Sequence, residues 1–217
     1  FCMKNRVQMV LVLVISAAVS ATMLGWVYNF TRPTVQMNRE KKLKRTVLEV
    51  FGIPYAEDSL LEVFARCVEV VQRSEGTYYR AYEMRGGSKV YTSLAVELSG
   101  PGFWAPIRVI LALEQDLETV RGLRVVDQAE TPGLGGRMVE PWFQEQFKGK
   151  KVKPVLRIVY GTRANGPNEV DAITGATETS KALDRIINRG LSSFLAELGH
   201  ASGAGEQPTY SSYQQWP

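Results

Sequence analysis

No charged residue interrupts the chain from Val7 to Thr31. Within it, Val10 to Ile15 are all aliphatic, and the apolar character continues through Ala17, Ala18, Val19, Met23 and Leu24 to Trp26 and Tyr28. At a rise of about 1.5 Å per residue, a helix of this length reaches across the roughly 30 Å hydrocarbon core of a bilayer. Backbone at that depth must satisfy its own hydrogen bonds, so a helix is the expected form. Trp26 and Tyr28 then fall at one interface, where amphipathic rings prefer to sit. Val19-Ser20-Ala21 has the small-residue pattern of a signal-peptide cleavage site. Apolar residues run past it, so residues 1–31 are expected to remain as an uncleaved anchor in the lipid bilayer.

Pro33 is expected to end the span, and residues 32–52 to form a connecting segment. Within it, Val35 to Phe51 places Leu43, Val47, Leu48 and Phe51 on one side of an amphipathic helix, with Arg and Lys on the other. Lys4 and Arg6 precede the span, whereas Arg32, Arg39, Lys41, Lys42, Lys44 and Arg45 crowd the stretch after it. A positive-inside count therefore places the following domain in the cytoplasm. The same cluster would attract anionic lipid headgroups.

Beyond Gly52-Ile53-Pro54 the pattern becomes strand-like. Thr77–Glu83, Lys89–Leu98, Ile107–Leu113, Val120–Val126 and Val155–Tyr160 are rich in β-branched and aromatic residues and are bounded by Gly or Pro. Short helices are expected at Leu60–Gln72 and Pro141–Phe147. Glu178–Leu198 carries Leu183, Ile186, Ile187, Leu191, Phe194, Leu195 and Leu198 at helical spacing, interrupted slightly by Gly190. Strands clustered mid-chain with helices at both ends predict an α+β class, one mixed domain over 53–200 behind a single transmembrane helix. Residues 201–217, rich in Gly, Ser, Gln and Tyr, have no core-forming pattern and read as a flexible tail.

Composition excludes much chemistry. His200 is the only histidine, and Cys2 and Cys67 are the only cysteines. No cluster ligated by four thiolates can be built within the chain, nor a Cys-His zinc site, and no metal ligand set is predicted. A catalytic triad would need His200 to fold back from the tail, so no catalytic residue is assigned. Cys67 sits in an apolar run and Cys2 before the anchor, so no disulfide between them is expected. The net charge of +4 is modest and spread out, apart from the juxtamembrane cluster, which argues against nucleic-acid binding. Any redox chemistry here needs an organic cofactor.

The segment Asp171-Ala172-Ile173-Thr174-Gly175-Ala176-Thr177 stops where the last helix begins. Helix N-termini expose unpaired N–H groups and a positive dipole end, so a phosphate is stabilised there. Gly175 and Ala176 leave the backbone open to close approach. On these grounds alone, the favoured reading is structural, with Thr177 a helix N-cap and Asp171 a turn residue. In Glu130-Thr131-Pro132-Gly133-Leu134-Gly135, proline fixes one dihedral and the glycines allow a tight turn that presents Thr131 and Leu134. Gly100-Pro101-Gly102-Phe103-Trp104 is a second Gly/Pro turn, whose Trp104 serves either a ligand or the core.

Together these segments resemble the FMN-binding domain family. Residues 171–177 are similar to its flavinylation signature, Asp, two variable residues, Ser or Thr, Gly, Ala, then Thr or Ser, with Thr174 in place of the commoner Ser. The resemblance implies that a flavin transferase, using FAD and a divalent metal, attaches FMN through its phosphate to Thr177. Asp171, Thr174, Gly175 and Ala176 would shape the acceptor loop. Residues 130–135 resemble the family loop lying against the isoalloxazine, which implies that Glu130, Thr131, Leu134 and Gly135 border the ring, with Trp104 approaching it. The implied role is an electron relay among the other membrane subunits of an ion-translocating complex, with the flavin domain on the extracytoplasmic side, against the basic-residue count. Segment order and length are similar to the G subunit of Rnf ferredoxin:NAD oxidoreductase complexes. The C subunit of the sodium-pumping NADH:quinone reductase is the near alternative, and a non-redox single-pass sensor or assembly protein the distant one.

Overall fold

The computed structural model describes residues 2–73 and 76–201. It opens with one helix, α1 (Cys2–Phe51), of 50 residues. The chain divides into two compact units, residues 1–42 and 43–217.

In the first unit the apolar side chains are bare: Leu13, Leu24, Trp26 and Phe30 are all more than three-fifths exposed. The hydroxyls among them turn back on their own helix. Ser16 donates to the Leu13 carbonyl at 3.0 Å, Thr22 to Ala18 at 2.8 Å and Thr31 to Val27 at 2.9 Å. A largely apolar surface whose Ser16, Thr22 and Thr31 hydroxyls bond within the helix is suited to lipid, and α1 is long and apolar enough to cross a membrane. Pro33 lies inside α1 and does not end it, contrary to the sequence expectation. Proline removes the one hydrogen bond to the Asn29 carbonyl, and the turns on either side propagate the helix across that gap.

In the second unit, five antiparallel strands form one sheet in sequence order: β1 (Val68–Arg73), β2 (Gly76–Arg85), β3 (Ser88–Pro101), β4 (Pro106–Glu114) and β5 (Val120–Asp127). Side chains alternate between its faces. Tyr78, Leu94, Val96, Leu98, Val109 and Leu111 enter one core; Tyr79, Ala95, Ile110 and Ala112 enter the other. The first core is closed by α4 (Thr177–Ala201), α3 (Pro141–Gln144) and 3-10 turns at Gly135–Val139 and Glu145–Phe147. The second is closed by Val47, Leu48, Val50 and Phe51 from the last turns of α1 and by α2 (Leu60–Cys67). Two short parallel strands, β6 (Arg157–Val159) and β7 (Glu169–Asp171), lead into the segment before α4. The class is α+β, as expected.

Two local expectations change. The helix expected over Leu60–Gln72 stops at Cys67, and Val68–Arg73 pairs instead with β2, from Val68 opposite Ala81 onward. The β-branched Val68, Val70 and Val71 favour the pleated edge over a further helical turn. β7 was not expected, being three residues long with a charge at each end. Cys67 is a free thiol. The tail expected over 201–217 lies, after Ala201, outside the described residues.

Phe51 is fully buried, whereas Phe30 on the same helix is 74% exposed. Phe51→Ala should therefore cost about 3–5 kcal/mol of domain stability in a denaturant titration of the detergent-solubilised chain, while Phe30→Ala should change it by under about 0.5 kcal/mol.

Candidate functional site

The residues before α4 form a tightly tied loop. Ile173 is buried and plugs into the first core; its N–H donates to the Ser180 hydroxyl at 3.1 Å, and its carbonyl accepts the Ala176 N–H at 3.0 Å. At the other end, the Asp171 N–H donates to Gln146 Oε1 at 2.8 Å, and the Ala172 N–H to the Val159 carbonyl at 2.9 Å. The Asp171 carboxylate accepts the Ala164 N–H at 2.5 Å, so it pins the neighbouring loop. Between these fixed points, Thr174, Gly175 and Thr177 face solvent.

Thr177 is the first residue of α4, and Ala176, just before it, has no side-chain oxygen with which to cap the helix. The N–H groups of Thr177, Glu178 and Thr179 have no hydrogen-bond partner among the described residues. The Thr177 hydroxyl likewise has none and is exposed. An uncapped, positively polarised helix end beside a free hydroxyl suits a phosphate covalently or ionically placed there. The lone acid of the first turn, Glu178, is held by Lys181 at 2.8 Å.

Glu130 ties this helix start to the other two segments. It is 4% exposed. One carboxylate oxygen accepts the N–H groups of Phe103 at 2.9 Å, Trp104 at 3.0 Å and Ala105 at 3.5 Å. The other accepts the Thr179 hydroxyl at 2.7 Å. Burial works to raise the Glu130 pKa, but the hydrogen bonds from Trp104, Thr179, Ala105 and Phe103 outweigh it and hold the carboxyl below its ordinary value. Gly135 lies so close that a Cβ there would stand 2.5 Å from the Thr179 hydroxyl. At Gly175, φ is +79° and a Cβ would press on Leu134 at 3.1 Å, which puts the Leu134 side chain beside the acceptor loop. The Thr131 carbonyl closes the intervening turn by accepting the Leu134 and Gly136 N–H groups at 3.1 and 3.0 Å.

The three sequence-predicted segments are thus brought to one place. Phe103, Trp104 and Leu134 remain exposed around it, Trp104 at 70%, so the core role weighed for this tryptophan is excluded. Both Glu130 oxygens are committed to the protein, a loop-holding role that the sequence did not show. Thr179, Ser180 and Gln146 carry structural bonds that sequence reasoning missed, because a Thr or Ser in a first helical turn and a Gln in a short helix look like surface residues. Among the described residues no group of His, Cys, Asp and Glu is arranged to hold a metal.

Residues 102–192 match the model of the FMN-binding domain family, a stretch containing Trp104, the Glu130 loop and the 171–177 segment. Over 122 residues the chain is 34% identical to the C subunit of the Na(+)-translocating NADH-quinone reductase of Yersinia pestis, covering 54% of this chain and 46% of that protein. The equivalent protein of Pasteurella multocida is 31% identical over 136 residues, 58% of this chain and 52% of that protein. The chain spans about half the length of the curated relatives it matches. Among solved structures, the C subunit of the Na(+)-translocating NADH-quinone reductase of Parabacteroides distasonis superposes with a TM-score of 0.62 at 22% identity, covering 75% of this chain and 94% of that one. NqrC of Shewanella oneidensis gives 0.60 at 21% identity, covering 70% and 91%. At these identities the structures establish the fold.

A carboxyl held low in the folded state stabilises the fold at pH values above its unfolded pKa of about 4.3, and that contribution is lost as pH falls through the lower folded value. Glu130→Gln should therefore destabilise the domain near pH 7 and flatten its loss of stability on acidification below about pH 5. Other depressed carboxyls such as Asp116 stay in both proteins, so the difference between the two curves isolates Glu130. Equal acid profiles in circular-dichroism titrations would refute this account of its ionisation.

Proposed function

We propose, from the premise that residues 102–192 match the FMN-binding domain family, that this chain is a membrane-anchored flavoprotein subunit of an ion-translocating redox complex. The observation that carries the reading is the free Thr177 hydroxyl at the uncapped start of α4, within a loop that also meets Leu134. Bound FMN supplies reversible electron storage, and the protein supplies attachment and orientation. A flavin transferase would form the bond from Thr177 Oγ to the FMN phosphorus of FAD, breaking the pyrophosphate link and releasing AMP while the hydroxyl loses its proton. The Thr177, Glu178 and Thr179 N–H groups would hold the resulting phosphodiester oxygens. Asp171 and Ile173 keep the acceptor loop in place, and Thr174, Gly175 and Ala176 leave it open to the modifying enzyme. Thr131, Leu134 and Gly135, with Trp104, would border the ring, and Glu130 would fix the distance between them through its bonds to Trp104 and Thr179.

The named relatives support the C subunit of a sodium-translocating NADH-quinone reductase over the Rnf G subunit favoured on segment order and length. Partners would then be the other subunits of that complex, with α1 crossing the inner membrane once. We place the flavin domain on the extracytoplasmic side, where a covalent link prevents loss of the cofactor. Anchor (1–31), connecting segment (32–52) and flavin domain (53–200) remain the functional division we propose, although α1 runs through the first two without a break.

The full chain, co-expressed with a flavin transferase and run on a denaturing gel, should give a flavin-fluorescent band. Thr177→Ala should give a dark band of equal intensity by protein stain, with an unchanged circular-dichroism spectrum. Fluorescence retained in that variant would overturn the attachment site, and a dark band from the matured native chain would favour a non-redox sensor.

A further inference from the structure

Away from the Thr177 loop, a groove of about 570 Å³ runs between the start of β2, the second half of β3 and one flank of α4. No residue of 130–135 or 171–177 lines it. Its volume lies within the range of roughly 300–1,000 Å³ that small-molecule sites occupy. The depth comes from close packing of helix on sheet: a side chain at Gly100 would meet Ile186, and one at Gly190 would meet Leu98. Leu98, Ile186 and Phe194 therefore present an apolar floor. The Phe194 ring is fixed against Tyr78, with centroids 5.5 Å apart.

The rim is cationic. Arg185 and Arg189 both line the groove, one helical turn apart. Neither forms an ion pair among the described residues. Two like charges at this spacing repel, and a shared anion between them converts the repulsion into charge-assisted hydrogen bonding. The two acids that also line the groove do not supply that anion. Glu97 is engaged by Arg108 at 3.3 Å and by the Tyr79 hydroxyl at 3.3 Å, and Glu197 has an interaction of its own. Ser193, on the same flank of α4, adds a hydroxyl beside the arginines.

We infer that this groove binds a small amphipathic organic anion, its phosphate or carboxylate head on Arg185 and Arg189 and its apolar body over Leu98, Ile186 and Phe194. The guanidinium fork suits an oxyanion head, and the floor offers nothing polar to the remainder. The site does not depend on the flavin reading.

The test uses the full chain in detergent, as purified and whether or not it carries flavin, with Ile and Leu methyl groups carbon-13 labelled. Hexyl phosphate is titrated below its own micelle-forming concentration, with hexanol and inorganic phosphate as controls. Saturable shifts of the Ile186 and Leu98 methyls are expected, with binding at least about tenfold tighter than either control. Arg185→Gln with Arg189→Gln should weaken binding about tenfold, with the circular-dichroism spectrum unchanged. Ser193→Trp, which fills the groove without removing either charge, should abolish it. Absence of saturable shifts, equal affinity for hexanol, or unchanged affinity in both variants would overturn the proposal. The same shifts appearing without probe in nanodiscs of phosphatidylglycerol, but not phosphatidylcholine, would identify the occupant as a lipid; shifts seen only with added probe would identify a soluble anion. In-gel flavin fluorescence reads the Thr177 assignment separately, so either idea can fail alone.

Discussion

One buried carboxylate holds the candidate site in register. Glu130 accepts three successive N–H groups from the turn at 103–105 and one hydroxyl from the start of α4. These partners belong to segments distant in sequence, and the large apolar side chains around them, Phe103, Trp104 and Leu134, all face solvent. A buried charge is costly unless its hydrogen-bonding capacity is filled. Here it is filled entirely by groups that would otherwise be orphaned. An amide of similar shape could accept at one oxygen only and would turn a donor toward the Thr179 hydroxyl, reversing that bond and losing its charge assistance.

That clamp works because the sheet and α4 are already fixed. β4 is buried on both faces, from Ile107 to Leu113 apart from Arg108, and so forms the spine of the domain. α4 lies on the first face with Leu183, Ile187, Leu191 and Phe194 turned inward, and Ile173 extends the same core into the loop before it. The loop therefore inherits its position from core packing at one end and from the Gln146 and Val159 bonds at the other. The exposed portion between, Thr174 to Thr177 apart from buried Ala176, has little freedom left although it touches little. Access and rigidity, which usually oppose one another, are reconciled by anchoring the two ends.

Much of this was legible in the residues. The apolar run, the four long strands after Gly76 and the amphipathic last helix were all readable, because each is long enough for its period to stand out. β1 and β7 were not. Val68–Arg73 abuts a helix with no Gly or Pro between them, and its Val-Glu-Val-Val order fits both periods in so short a window; β7 is too short to have a period. Pro33 misled for a different reason: a rule about local hydrogen bonds lost to the cooperativity of a long helix. At the site, the motif residues could be named from sequence, but their roles could not. The clamping role of Glu130 appears only when its oxygens are traced, and Thr179 and Ser180 become visible only when α4 is laid against the loops they bond.

The openness of the site bears on why a covalent link suits it. Affinity for a flat aromatic ligand comes chiefly from the surface it buries, yet Trp104 and Leu134 lie on the outside of the domain and the Thr177 hydroxyl stands in solvent. A flavin resting there would cover one face of its ring and leave the other to water or to a neighbouring protein. Such a ligand is held weakly by contact alone. An electron relay nevertheless gains from exposure, because its donor and acceptor must come close to the ring. A bond to Thr177 would remove the conflict, making retention independent of burial, so that the surrounding residues need only orient the ring. The uncapped helix start complements this arrangement: the three free N–H groups would neutralise a phosphodiester whose charge could not be left at an apolar surface.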